Sequence, residues 1–308
     1  VTGAATSNET VVILNAGAGT IRDRRPDDVE GVVRDAFAGH SEPITIELAE
    51  GDRFIAAIDR AVARGCGTII VGGGDGSVNY AARKLAGGDT VLGVLPLGTM
   101  NLLARSLGMP QDLEPALAAL AEAKPQRIDL GRVNGRIFHT LAGLGYFAEV
   151  ARARAAVRDD SSLPFSRYIA ATRATWRAFT RAGVLQLAIE TAKGNKDVSA
   201  YALLVSNNRL SANGFERARL DEGVLDVHFA EGAGIGPRLE AAFDILAGQW
   251  RENPAINSID TPHLTVRSHR PRLWVSIDGE LARLQTPLVF ETMAGALQIL
   301  VPPAAVAD

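Results

Sequence analysis

A chain of 308 residues, 47% hydrophobic and 22% charged, can bury a large core and is read as two ordinary domains. Its formal net charge of -3 excludes a dedicated nucleic-acid binder, which needs a strongly basic surface, so any basic patch is local. The single cysteine, Cys66, cannot form an intrachain disulfide, the opening VTGAATSNET has no basic or apolar leader pattern, and no stretch is apolar enough to span a bilayer. The expectation is a cytoplasmic protein that meets membranes, if at all, from one side, peripherally at the inner membrane.

TVVILN (10–15) is a short β-branched run that stops at the small-residue turn AGAGT, which predicts a buried parallel strand leading into a helix. Residues 26–38 predict that helix, ITIEL (44–48) a second strand, DRFIAAIDRAVAR (52–64) a helix apolar on one side, and TIIV (68–71) a third strand. A glycine turn opens the next helix at 77–86, TVLGVLPLG (90–98) is a fourth strand, and a helix follows at 112–123. Four such units in succession indicate a doubly wound α/β sheet with ligands at the carboxyl ends of its strands. From about residue 127 the rhythm changes to RIFHTLAGLG, LQLAIET, YALLVSNN, VLDVHFA, HLTVRS and RLWVSIDGE, mostly antiparallel strand signals divided by polar turns. With helices expected at about 165–182 and 236–250, this second part reads as a β-sandwich with helical insertions.

The stretch TIIVGGGDGSVNYAARKLAG (68–87) sets Gly72, Gly73, Gly74 and Gly76 between a strand and a helix. Such a turn offers backbone N–H groups to a phosphate, and the absent β-carbons let the phosphate come close. The pattern is neither GxGxxG nor a Walker A loop, since no Lys-Ser or Lys-Thr follows the last glycine. Asp75 sets it apart: a carboxylate facing phosphates holds Mg²⁺ or takes a proton from an attacking hydroxyl. PLGTMNLLARSLG (96–108) again follows a strand with a glycine turn, at Gly98, and carries Thr99 and Asn101, which can bond phosphate or ribose oxygens. Cys66 is expected to be a buried, inert side chain. The five histidines (His40, His139, His228, His263, His269) lack metal-ligand spacing and read as structural or surface residues.

GGGDGSVN and PLGTMNLLAR resemble the two main signatures of the diacylglycerol kinase catalytic-domain family, which includes bacterial soluble lipid kinases and sphingosine and ceramide kinases. LNAGAG (14–19) is similar to the family's nucleotide turn, and IDLGRVNGRIFHTLAGLG (128–145) to its domain-crossing strand pair. DEGVLDV (221–227) resembles its acidic turn, and SIDGE (276–280) its late Asp-Gly-Glu. Ala16 stands where the family has proline, Leu102 where it has a second aspartate, His139 and Thr140 where it often has valine and asparagine, and Glu222 where it has aspartate.

The resemblance implies an α/β nucleotide-binding domain over 1–126, joined by the C-terminal segment 288–308, and a β-sandwich lipid-substrate domain over 127–287, with the active site in the interdomain cleft. It implies ATP and Mg²⁺ as cofactors and a lipid acceptor at a membrane surface. Asn15, Gly73, Gly74, Gly76, Ser77 and Asn79 would hold the nucleotide, together with Gly98, Thr99 and Asn101. Asp75 and Glu280 are the candidate catalytic acids, Asp75 the favoured base, and Asp129 a candidate acceptor-side acid. Asp221, Glu222 and Asp226 read either as a solvated loop or as a Mg²⁺ or Ca²⁺ site. The segment FSRYIAATRATWRAFTR (165–181) sets aromatics against Arg173, Arg177 and Arg181, the pattern of a helix packed on its own domain or of one lying on an anionic membrane. Two rival functions remain open at this point: a kinase of a soluble acceptor, as in NAD kinases, and a non-catalytic lipid- or nucleotide-binding regulator. A homodimer is compatible with the sequence, which carries no signal fixing the oligomeric state.

Overall fold

In the computed structural model of the chain, which describes residues 7–40, 44–158, 183–211, 214–231, 253 and 255–303, the TVVIL run lies within β1 (Ser7–Asn15). There follow α1 (Pro26–Ala36), β2 (Ile44–Ala49), α2 (Asp52–Ala63), β3 (Cys66–Gly73), α3 (Asp75–Leu85), β4 (Val91–Pro96), α4 (Leu102–Ser106) and α5 (Leu113–Ala121). Each strand and helix read from residues 10–123 is present, with ends moved by a few residues. Proline at the first position of α1, Asp27 and Asp28 in its first turn and Arg34 in its last suit the helix dipole. Phe54, Ala57, Ile58 and Ala61 recur on one stripe of α2 and are all buried. Each fully buried side chain of the size of Ile58 contributes about 1.5–3 kcal/mol.

β5 (Lys124–Val133), β6 (Arg136–Phe138), β7 (Leu141–Gly145), α6 (Tyr146–Arg158), β8 (Leu185–Thr191), β9 (Gly194–Asn207) and β10 (Leu225–Glu231) continue the chain. β11 (Ile256–Thr261), β12 (His263–Ser268), β13 (Arg272–Ile277), β14 (Glu280–Gln285) and β15 (Leu288–Val301) complete it. The chain forms two units, Val1–Leu130 with Ala294–Asp308, and Gly131–Met293, and passes from one to the other within β5 and β15.

In the first unit the strands run in the order β2-β1-β3-β4-β15, all parallel, with Gln298 of β15 opposite Val91 of β4. α1 and α5 pack together, and α2 packs with α3, so the sheet is covered on both faces. That double cover is why β1 reads as an uninterrupted apolar run rather than an alternating one: Val11, Val12, Ile13 and Leu14 are all buried.

The second unit is largely β. Its strands do not fall into two separately bonded sheets; the long β9 changes partners along its length, pairing β8 over residues 194–200 and both β7 and β10 further on. One core, including Phe138, Leu203, Val227, Val275 and Phe290, lies against strands from β6 to β15. The helices expected at 165–182 and 236–250 lie outside the described residues, and with them the arginine-flanked segment. Three elements escape a reading of pattern. α6 follows β7 with no intervening turn residues, β11 (INSIDT) is polar and only partly buried, and β14 is masked by its alternating charges.

Candidate functional site

The order β2-β1-β3-β4 sends the connection after β1 and the connection after β3 in opposite directions along the sheet, which opens a crevice at their carboxyl ends. Three turns border it, at residues 15–20, 73–77 and 97–102, and they are tied to one another. The Thr20 hydroxyl donates to the Leu97 carbonyl at 3.3 Å, and the Leu97 N–H donates to the Gly73 carbonyl at 3.1 Å. A β-carbon on Gly98 would stand 2.5 Å from Gly74 Cα, so the second and third turns touch through bare backbone. A β-carbon on Gly73 would meet Ser77 Oγ at 2.5 Å, because the serine folds back over the turn.

The contact makes Gly98 irreplaceable for a reason unrelated to any ligand. Gly98→Ala should destabilise the fold by about 1–3 kcal/mol, because neither Gly74 Cα nor Asn101 Oδ1, 2.9 Å from the added carbon, can move without opening the turn. Gly76→Ala, whose added carbon meets nothing within 4 Å, should unfold at the wild-type denaturant midpoint. Equal midpoints for the two variants would refute the packing argument.

Asp75 binds the third turn from the second. Its Oδ2 accepts the Asn101 N–H at 3.0 Å and its Oδ1 the Leu102 N–H at 2.7 Å. The carboxylate thereby caps α4, whose N-cap residue Asn101 has left-handed backbone (φ 49°). It also occupies the first position of α3, where the helix dipole favours negative charge. α3 has no side-chain cap of its own, so its leading N–H groups face the crevice as donors for an anion.

The other predicted nucleotide residues divide by what their side chains already do. Asn15 Oδ1 accepts the Gly17 N–H at 3.1 Å and shapes its own turn. Asn101 is saturated: Oδ1 accepts from Gly98 N–H at 3.0 Å, and Nδ2 donates to the Gly98 carbonyl at 2.9 Å and to Gln111 Oε1 at 3.2 Å. The expectation that its amide contacts a phosphate or ribose is therefore replaced by a structural role. Asn79 is 2% exposed and belongs to the buried face of α3, away from any ligand surface. Thr99 is exposed, and Gly74, Gly76 and Ser77 are at least partly accessible, so these remain available to a ligand. Thr20 and Gln111 were not anticipated; the small-residue context hides the first, and no local pattern marks the second.

Asp129 is 3% exposed and its Oδ1 accepts the Gly295 N–H at 2.8 Å, tying β5 to β15. The Cys66 thiol is buried, and burial pushes its pKa up, as expected of an inert cysteine.

In the second unit Glu280 is exposed at the start of β14, just after a two-residue hairpin turn in which Asp278 and Gly279 both have positive φ. The acid with the most elaborate environment is its neighbour. The Asp278 side chain, 1% exposed, accepts backbone N–H groups from His139 (2.9 Å), Thr140 (2.9 Å) and Leu141 (3.0 Å). Arg217 is fully buried nearby; its guanidinium donates to the His139 carbonyl and to the Asn207 carbonyl at 3.3 Å. Burial pushes the Arg217 pKa down to about 10 while the Asp278 charge pulls it up, so it stays cationic at neutral pH. The Thr140 hydroxyl lies 2.6 Å from His139 Nδ1. His139, read as structural, is structural.

Asp221, Glu222 and Asp226 are not gathered into one ligand set. Asp221 pairs with Arg219 at 3.1 Å, Glu222 with Arg209 at 2.9 Å, and the buried Asp226 with His228 Nε2 at 2.8 Å. Among the described residues no cluster of three His, Cys, Asp or Glu side chains could hold a metal ion. Asp221, Glu222 and Asp226 do not fit a resident Mg²⁺.

An open parallel sheet with amide-lined glycine turns at the ends of its middle strands defines a class of α/β protein that binds ligands at that edge. Residues 9–133 match the diacylglycerol kinase catalytic domain. It is 28% identical over 289 residues to a Pseudomonas aeruginosa protein named "probable lipid kinase YegS-like", with 86% of each chain covered. A Chromohalobacter salexigens protein of the same name is 27% identical, with 88% of this chain and 86% of that one covered. The crystal structure of a diacylglycerol kinase from Bacillus anthracis shares the fold, with a TM-score of 0.73 and 19% identity over 97% of this chain and 98% of that one.

Proposed function

We propose that the chain is an ATP-dependent lipid kinase that phosphorylates a hydroxyl of diacylglycerol or a related glycerolipid. The observation that carries this reading is the crevice of three mutually tied turns, with the uncapped start of α3 and the Asp75 carboxylate side by side. A phosphate chain laid on the α3 N–H groups would be held by backbone alone, and with no lysine in the turn the charge must be balanced by Mg²⁺ carried on the nucleotide. The acceptor oxygen attacks the γ-phosphorus, the bond to the β–γ bridging oxygen breaks, and ADP departs with that electron pair. The hydroxyl proton passes to a carboxylate. We assign this to Asp75, supported by each oxygen giving only one of its lone pairs to an N–H and so keeping the others for the proton. Glu280, exposed, is the second choice. Among the described residues no helix is long and apolar enough to cross a membrane.

Transfer of labelled γ-phosphate from ATP to mixed vesicles containing diacylglycerol, beside a panel of soluble alcohols and NAD, tests the reading. Label in a soluble acceptor alone would favour the NAD-kinase-like alternative, and no label in any acceptor a binding regulator. Gly74→Val locates the nucleotide. Gly74 has extended backbone (φ -88°) and its added carbon meets only Gly98 Cα at 3.6 Å, so the variant should fold while its methyls enter the crevice. ATP affinity should fall at least about tenfold, the loss of one or two phosphate contacts; an unchanged titration would place the nucleotide elsewhere.

A further inference from the structure

On the outer face of the β13–β14 hairpin an aromatic ring stands exposed among cations. Trp274, 41% accessible, lies opposite Arg283 in the register of the two strands. The guanidinium groups of Arg152, from α6, and Arg283 lie over its ring at 5.0 Å and 5.8 Å from the centroid. Arg270, Pro271 and Arg272 join Trp274 and Arg283 around an open groove of about 630 Å³. The Arg152 charge is offset by Glu149 at 2.6 Å. Arg270, Arg272 and Arg283 are exposed and have no carboxylate partner among the described residues.

Three unpaired arginines around a half-open tryptophan make a poor resting surface for a protein in water. They stand out further because the chain as a whole carries a net charge of -3. A polyanion would be attracted to this face more than the near-neutral chain as a whole attracts it, so charge would orient the protein as well as bind it. Tryptophan suits the headgroup level of a bilayer, where its apolar body and polar N–H are both accommodated, and arginine suits lipid phosphates. A cation already stacked on the ring loses little on burial against phosphate.

We infer that the face formed by Arg270, Arg272, Trp274 and Arg283 is a docking surface for an anionic phospholipid bilayer. The inference rests on the lipid-kinase reading only for the choice of a bilayer over other polyanions. It assigns membrane contact to the described hairpin without recourse to the 165–181 segment.

The test is flotation of the full chain, without nucleotide, on vesicles of phosphatidylcholine alone or with phosphatidylglycerol, with a duplex DNA arm in parallel. Wild type should bind the anionic vesicles, not the neutral ones, and salt should weaken the binding. The triple variant Arg270→Glu, Arg272→Glu, Arg283→Glu should lose roughly tenfold or more in vesicle partitioning, given what each arginine contributes near such a surface. Trp274→Ala should bind more weakly at unchanged charge, and circular-dichroism melting confirms folding of both variants. Wild-type binding retained by the triple variant, absent vesicle binding by wild type, or preference for DNA over vesicles each overturns the inference. Phosphorylation of a short-chain diacylglycerol dispersed as monomers is read separately. If wild type binds vesicles but phosphorylates neither that acceptor nor vesicle lipid, the kinase reading fails and the docking surface stands; if the triple variant still phosphorylates the monomeric acceptor, the surface serves access rather than chemistry.

Discussion

Asp75→Asn should keep the fold and ATP binding yet lose about a hundredfold or more in phosphoryl transfer, the scale expected when a positioned base is removed. The proposed function gives Asp75 a second job beside its capping bonds, and the variant separates the two. The carboxylate accepts the Asn101 and Leu102 N–H groups, whereas an amide can accept with only one of its two terminal atoms. One capping bond is lost, at a cost of about 1 kcal/mol. A hundredfold fall in turnover with a denaturation midpoint shifted by no more than that bond is the signature of chemistry. Asp75→Ala loses both bonds and lets the third turn drift, so it should reduce ATP affinity as well as rate. Should Asp75→Asn turn over at near the wild-type rate, the proton must go to Glu280 or to water, and Glu280→Gln is the next variant to assay.

The largest effect on stability is expected far from that crevice in the sequence, at Asp278→Ala. The substitution strands three backbone N–H groups and leaves the buried Arg217 cation without its counter-charge. Breaking a buried pair in this way costs about 3–5 kcal/mol. For a chain of this size the melting temperature should drop on the order of 10 °C, measurable by scanning calorimetry. Asp278→Asn, which keeps one acceptor but not the charge, should fall between wild type and alanine. If Asp278→Ala melts within a degree or so of wild type, the buried guanidinium is held by its carbonyl partners alone and the Asp278 charge contributes nothing. The double variant Asp278→Ala, Arg217→Met should recover part of the loss, because an apolar pair avoids the unpaired charge altogether.

Several roles given to the acids changed once their partners were visible. The cluster Asp221, Glu222 and Asp226 is compact in sequence, which is why it suggested a cation site. In the fold each side chain leaves the turn in its own direction and meets Arg219, Arg209 or His228. Spacing along a chain cannot show this, since three residues in a non-helical turn have no fixed common face. Asn101 is a parallel case: an asparagine beside a glycine turn can bond a ligand or its own backbone, and only the contact with Gln111 and Gly98 decides for the backbone. Asp278 entered the sequence reading only within SIDGE, because its importance lies in N–H groups at residues 139–141, which no local pattern connects to it.

The sequence by itself determined the parallel first unit, the glycine turns after β3 and β4, the switch to a largely β second part and the resemblance to a family of kinases. Each is written in short-range pattern: β-branched runs long enough to be covered on both faces, a 3.6-residue stripe in α2, and glycine where backbone must touch backbone. The tertiary structure decided that Asp75 caps another turn, that Gly98 is glycine because of Gly74, that the Asp278 charge acts on the buried Arg217, and that Trp274 stands exposed among three arginines with no carboxylate partner among the described residues. The first three are pairings between residues tens of positions apart, and the last is a surface that the packing leaves uncovered. Their energies depend on distance, burial and shared charge, which are properties of the packed chain and leave no periodic trace along it.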